Sequence, residues 1–288
     1  MSNCIFEMND RKKYYTFFNG SLLLMIFSLV SLLFLNSCVE SKRSKIYPLV
    51  KNIKENCNDS TSIMSMEDIE LEEDTVILSF TLKDDDIIQC FDTQQTNHTK
   101  EFLLMLLCAN QNEKGWKELL DAIKENDIYI KVCFNLQELK RNFSVFLSPL
   151  EIKDGFTKYR DFSPYRLRIM AGIIMSKTQL PIKIDEVTTF VDYKLDNSKV
   201  YCIYKVEESE SIDMLNANKD EIKKMLLAFI QEQVKDEKKH LKSFLENCSY
   251  CKIPIVYRYI GTKTNNILEI VIECHEYEPM LKPFYEQY

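Results

Sequence analysis

Val76-Ile77-Leu78-Ser79-Phe80-Thr81-Leu82 carries an apolar residue at every second position, and Val200-Tyr201-Cys202-Ile203-Tyr204-Lys205-Val206 repeats the pattern 124 residues later. Val76, Leu78, Phe80 and Leu82 fall on Val200, Cys202, Tyr204 and Val206. A period of two marks a strand with one buried face. A further strand is predicted before each, over Ser65–Leu71 and Glu186–Leu195, across the polar turns Glu72-Glu73-Asp74 and Asp196-Asn197-Ser198. Each pair reads as a hairpin.

Working outward, the same order of elements recurs. Glu101-Phe102-Leu103-Leu104-Met105-Leu106-Leu107 matches Glu221-Ile222-Lys223-Lys224-Met225-Leu226-Leu227 at an offset of 120. Ile222, Met225, Leu226, Phe229 and Ile230 have the spacing of one apolar helix face. Asn218 and Glu221 suit a helix start, and the helix is predicted to run on through Val234, Leu241, Phe244 and Leu245. In the first copy Gly115 breaks the helix, and Trp116, Leu119, Leu120 and Ile123 extend its apolar face. Ile130, Val132 and Phe134 then align with Ile255, Tyr257 and Tyr259, while Phe143, Val145 and Leu147 align with Leu268, Ile270 and Ile272, at an offset of 125.

These patterns predict an α+β fold made by tandem duplication of a β-β-α-β-β unit. Each unit is expected to form a four-stranded antiparallel sheet packed against a long helix, with a lead-in helix over Tyr47–Glu55 or Ser163–Lys177. The expected modules span 46–153 and 154–288, joined near Lys153–Asp161, with Ser163 capping the second lead-in helix and Pro164 at its first position.

The chain's start has a different character. Arg11-Lys12-Lys13 precedes an apolar run from Ser21 to Leu35, which closes in Leu35-Asn36-Ser37-Cys38. The run is shorter than the roughly 20 residues of a spanning helix. Its order of basic, apolar, small residue and cysteine resembles the signal peptide and lipobox of bacterial lipoproteins, such as those of the Bacteroidota. The resemblance implies a signal peptide over 1–37, lipidation of Cys38 on its sulfur and new amino group, and a short tether over 38–45. Translation could start at Met1 or at Met8, which begins a tidier signal. One Glu followed by Lys42, Arg43 and Lys45 does not match the acidic cluster of surface-exported members. The expected location is therefore the outer membrane, facing the periplasm.

Composition narrows the function. The net charge is −7, and −8 once residues 1–37 are removed. That argues against nucleic acid as a partner, since such proteins carry a basic patch or stripe. The five glycines are scattered, so no phosphate-cradling loop or nucleophile elbow forms. The three histidines have no paired spacing, and no catalytic residues are assigned.

Several residues remain candidates. Cys248-Ser249-Tyr250-Cys251, with Cys274 and His275, could supply a metal or redox site. The same thiols could form disulfides or act as small buried hydrophobes. Cys202 and Cys108 read as core. The acidic runs Glu70–Asp74, Asp84-Asp85-Asp86 and Glu207-Glu208-Ser209-Glu210 read as solvated turns, because they lack the spacing of a calcium loop. Leu180-Pro181 through Asp185 to Thr188-Thr189 resembles the opening of small bacterial envelope domains of uncharacterised role; Asp185 could form a site there or cap a turn. Asp185, Tyr201 and Tyr257 are candidates for a binding face, with Tyr201 opposed to Tyr204 by strand alternation.

The expected protein is thus a membrane-anchored, non-enzymatic binding or structural module with no cofactor beyond its covalent lipid. Its partners would be the membrane and a protein or glycan of the envelope. The alternatives are an enzyme or redox protein using the cysteine cluster, or capture of a small ligand between the modules.

Overall fold

The computed structural model describes residues 42–55, 64–82, 96–113, 115–136, 141–196, 198–207, 216–235 and 239–281. The signal, Cys38, Cys57, Cys90 and the Asp84–Asp86 run lie outside them. Helix α1 covers residues 42–55. Then follow β1 (Met64–Glu72), β2 (Thr75–Leu82), α2 (Thr96–Ala109), α3 (Trp116–Glu125), β3 (Tyr129–Leu136), β4 (Arg141–Leu147) and α4 (Pro149–Tyr159). The second half holds α5 (Pro164–Lys177), β5 (Ile182–Lys183), β6 (Thr188–Leu195), β7 (Val200–Val206), α6 (Lys219–Lys235), α7 (Lys239–Tyr250), β8 (Ile255–Gly261), β9 (Ile267–Ile272) and α8 (Cys274–Leu281).

The fold is α+β, and both sheets are mixed rather than antiparallel throughout. Sheet one runs β1-β2-β3-β4 and sheet two β5-β6-β7-β8-β9. The outer pairs of each are antiparallel, but β2 pairs with β3, and β7 with β8, in parallel. Alternation in sequence does not distinguish the two ladders. The helical connections do: each returns the chain to the end where the preceding strand began, which is the requirement for a parallel pair. The second sheet also gains a fifth strand, the two-residue β5.

Register agrees between the halves. Met64 faces Leu82 as Thr188 faces Val206, and both ladders carry a bulge, between Met66 and Asp68 and between Phe190 and Asp192. Ile130 faces Leu147 as Ile255 faces Ile272. The expected inward aliphatic residues are buried in both sheets, while the inward aromatics Phe80, Phe143, Tyr204, Tyr257 and Tyr259 are half-buried against them. Phe134 and Phe143 stack at 4.8 Å in the first sheet and Tyr204 and Tyr259 at 5.0 Å in the second.

The long helix of the first half is two helices. Gly115 adopts φ 85°, a left-handed conformation suited to glycine, and α3 restarts there to bury Trp116, Leu119, Leu120 and Ile123. The second half has α6 and α7 in this place. The stretch read as a linker near Lys153–Asp161 is helical as far as Tyr159, because Ser148 and Glu151 close a capping box on α4. Phe156 and Tyr159 join the first core.

One helix belongs to both cores. Leu167, Ala171 and Met175 of α5 pack into the first apolar cluster, Ile169 and Ile173 into the second. Residues two apart on a helix point about 200° apart, so α5 is apolar on opposite sides. Ser163 caps it by accepting from the Arg166 N–H at 3.2 Å, with Pro164 at its first position, as expected. On its first-half side α5 lies against α2, where Arg168 bonds Asn110 at 2.9 Å.

The predicted apolar face of α6 is only partly used. Ile222 and Ile230 are buried, but Met225 is 63% and Phe229 54% exposed. Their counterparts at the offset of 120, Met105 and Ala109, are 2% and 3% exposed. The difference follows from neighbours: α2 has α5 and α4 beside it, whereas α6 touches α7, α8 and β9 among the described residues.

Candidate functional site

Two places collect the predicted residues. The first is the junction of α7 with α8. Cys248 lies fully buried in the last turn of α7, Cys251 follows half-buried, and Cys274 begins α8 half-buried. The helix ends are tied together by Glu278, which accepts from Ser249 at 2.7 Å and Lys252 at 2.9 Å. Tyr277, fully buried, donates to the Ile253 carbonyl at 3.3 Å and lies 3.4 Å from the Cys274 thiol. Ser163, the cap of α5, lies 3.8 Å from the Cys251 sulfur.

The chemistry of this junction is that of a packed contact. Burial pushes the Cys248 thiol far above its ordinary range, and the neighbouring Cys251, Cys274 and Cys202 add to the shift. A thiol held protonated is a poor nucleophile. Burial likewise pushes Cys202 and Cys108 up to about 12. His275 is exposed, turned from Cys274 by one helical step. Among the described residues, no three His, Cys, Asp or Glu side chains converge to hold a metal ion.

The second place is the outward face of the sheets. Tyr201 does point away from Tyr204, and the Arg258 guanidinium stacks over its ring at 4.4 Å. Arg258 also bonds Glu269 across the strand pair at 2.7 Å. Tyr257 does not share this face. It pairs with Cys202 on the inward side and stacks near Tyr204, because β7 and β8 run in parallel register. Asp185 accepts from the Val187 and Thr188 N–H groups at 2.9 and 2.7 Å, and these bonds hold its carboxyl below the usual range. It is a turn cap between β5 and β6.

The first sheet carries a comparable arrangement that the sequence reading missed. Phe146 is 51% and Tyr129 41% exposed, and Lys131 stands 5.4 Å over the Phe146 ring. Glu72, Glu73, Thr75 and Ile77 complete a shallow depression around this pair. The signal was present in Lys131 and Phe146, which are outward by alternation from the inward Val132 and Val145. The junction between the halves, in contrast, is filled by the side chains of α5. Among the described residues, no helix is long and apolar enough to cross a membrane.

No protein-family model matches the chain. No curated protein matches it either. Among solved structures, it is similar to a crystallised protein of Pseudomonas aeruginosa provisionally described as secreted, with 14% identity and a TM-score of 0.31, over 38% of this chain and 88% of that one. A likeness of that size assigns neither activity nor partner.

Proposed function

We propose that the protein is a bacterial envelope lipoprotein, held to the outer membrane through acyl groups on Cys38. In this reading it consists of two copies of one duplicated α+β unit, facing the periplasm. It works as a non-enzymatic binding module, and its outward sheet faces take an envelope protein or glycan. The shared strand order, register and bulge position support descent of the halves from one unit. The lipobox sequence Leu35–Cys38 supports the anchor.

The observation that carries the binding role is the pair of outward aromatics, Phe146 exposed and Tyr201 half-buried, each under a cation: Phe146 with Lys131 and Tyr201 with Arg258. An aromatic face beside charged groups suits recognition of a polar ligand or partner surface. A photoreactive residue at Phe146 or Tyr201 in living cells should give discrete adducts, whereas one at the fully buried Leu119 should give none. Absence of adducts at both faces would sink the binding role. Conversion of Cys38 to Ala should remove acylation by intact mass; persistent acylation would sink the anchor.

A further inference from the structure

The distance from Cys38 to the first helix limits where that helix can lie. Four residue steps separate Cys38 from Lys42, a reach of at most ~14 Å for a fully extended chain. Residues 42–45, expected as part of a short tether, belong to α1. That helix is fixed to the body of the protein, with Ile46, Val50 and Ile53 in the first core. Under the lipid-anchored reading above, on which this inference rests, the start of α1 is therefore held beside the headgroups.

The composition of α1 is unlike that of the chain around it. Residues 42–55 carry five basic side chains and one acidic in a chain of net charge −7. Arg43, Tyr47 and Lys51 follow at i, i+4 and i+8, so they form one row along the helix. All three are exposed, Tyr47 at 55%. The acids nearby are engaged with other partners or only weakly with the row. Lys54 takes Asp68 at 2.7 Å and reaches Glu70 at 4.0 Å. Asp127 is bonded by Lys153 at 2.7 Å. Glu55 stands 3.7 Å from Lys51, with both side chains more than 60% exposed, so that pair is screened.

We propose that the Arg43–Tyr47–Lys51 row rests on an anionic phospholipid surface and sets the orientation of the modules on the bilayer. The guanidinium and ammonium meet lipid phosphates, and the phenol sits at the interface, where tyrosine is favoured. The acidic remainder of the protein is repelled from the same surface. A single acyl cluster would leave the body free to rotate about its tether, and a second contact removes that freedom.

The test uses the full chain, extracted from cell membranes and reconstituted into vesicles of phosphatidylcholine, with or without added phosphatidylglycerol. Flotation with phosphatidylcholine vesicles reads the acyl anchor alone. A Tyr47→Trp variant reads the row, through quenching of its indole by lipids brominated near the headgroup. The native Trp116 is 7% exposed and gives a constant background. Flotation on both vesicles is expected, with quenching at least about twofold stronger on the anionic ones, a difference removed by high salt or by Arg43→Glu with Lys51→Glu. Flotation on both with equal quenching overturns this inference and leaves the anchor standing. Failure to float on phosphatidylcholine overturns the anchor and this inference together.

Discussion

Substitution of Ile169 by Ala should destabilise a region of the protein that Ile169 does not touch. Ile169 and Leu167 are both 0% exposed, yet they lie in different cores. Truncating either leaves a cavity costing about 2–5 kcal/mol. Taking ~3 kcal/mol and about 2–4 °C per kcal/mol at this chain length, each variant should melt roughly 6–12 °C lower. The only tryptophan, Trp116, lies in the first core and is a natural probe of it. If α5 makes the two cores one cooperative unit, urea titrations followed by Trp116 fluorescence will show similar midpoint losses for Leu167→Ala and Ile169→Ala. Far-UV circular dichroism should report the same single transition. The reasoning is refuted if Ile169→Ala leaves the Trp116 transition in place while dichroism develops an earlier step.

Further outcomes follow from burial, backbone and charge. Met105→Ala should cost about 2–5 kcal/mol, but Met225→Ala at the aligned position should stay within about 0.5 kcal/mol, as urea midpoints will show. Gly172→Ala should raise stability by about 0.5–1 kcal/mol, since the added methyl meets Phe244 at an ordinary 3.6 Å inside a helix. Gly115→Ala, at φ +85°, should lower it by about 1 kcal/mol or more; thermal melts of the two should move in opposite directions. Glu101, which accepts from Lys158 and Tyr159 at 2.8 Å each, has its carboxyl held below the usual range chiefly by Lys158. Its contribution is therefore present above the unfolded value near ~4.3 and is lost as pH falls through the lower folded value. Glu101→Gln should accordingly lose less stability than the parent between neutral and acid pH, and an equal loss would contradict the assignment.

Much of the architecture was readable because alternation reports which face of a strand is buried. That signal placed Val76, Leu78, Ile130 and Val132 inward, and their partners in the second half. It carries no information on strand direction, so the parallel pairs β2–β3 and β7–β8 escaped it. The capping box Ser148-Pro149-Leu150-Glu151 spells the start of α4 within the stretch expected as a junction, and Gly155 in that helix lacks a side chain where Leu104 packs. Tyr257 is a candidate for the binding face by residue type alone, although its alignment with Val132 and the alternation Ile255–Tyr257–Tyr259 already turn it inward beside Cys202. The bare side of α6 was hidden for another reason: amphipathicity shows that a helix has an apolar face, not whether a neighbour arrives to cover it.

The contrast between α1 and α6 gives the two halves unlike exposed sides. In one, the surface of α1 turned from the core carries Arg43, Ser44 and Lys51 around the exposed Tyr47, a largely polar boundary. In the other, Met225 and Phe229 are exposed where Met105 and Ala109 are buried. If the halves are two copies of one unit, as proposed, growth of such a stack is directional. A third unit could be added after the second by supplying a helix patterned like α5, with no change to existing surface residues. Adding one ahead of the first would require rebuilding the polar side of α1 before anything could pack there.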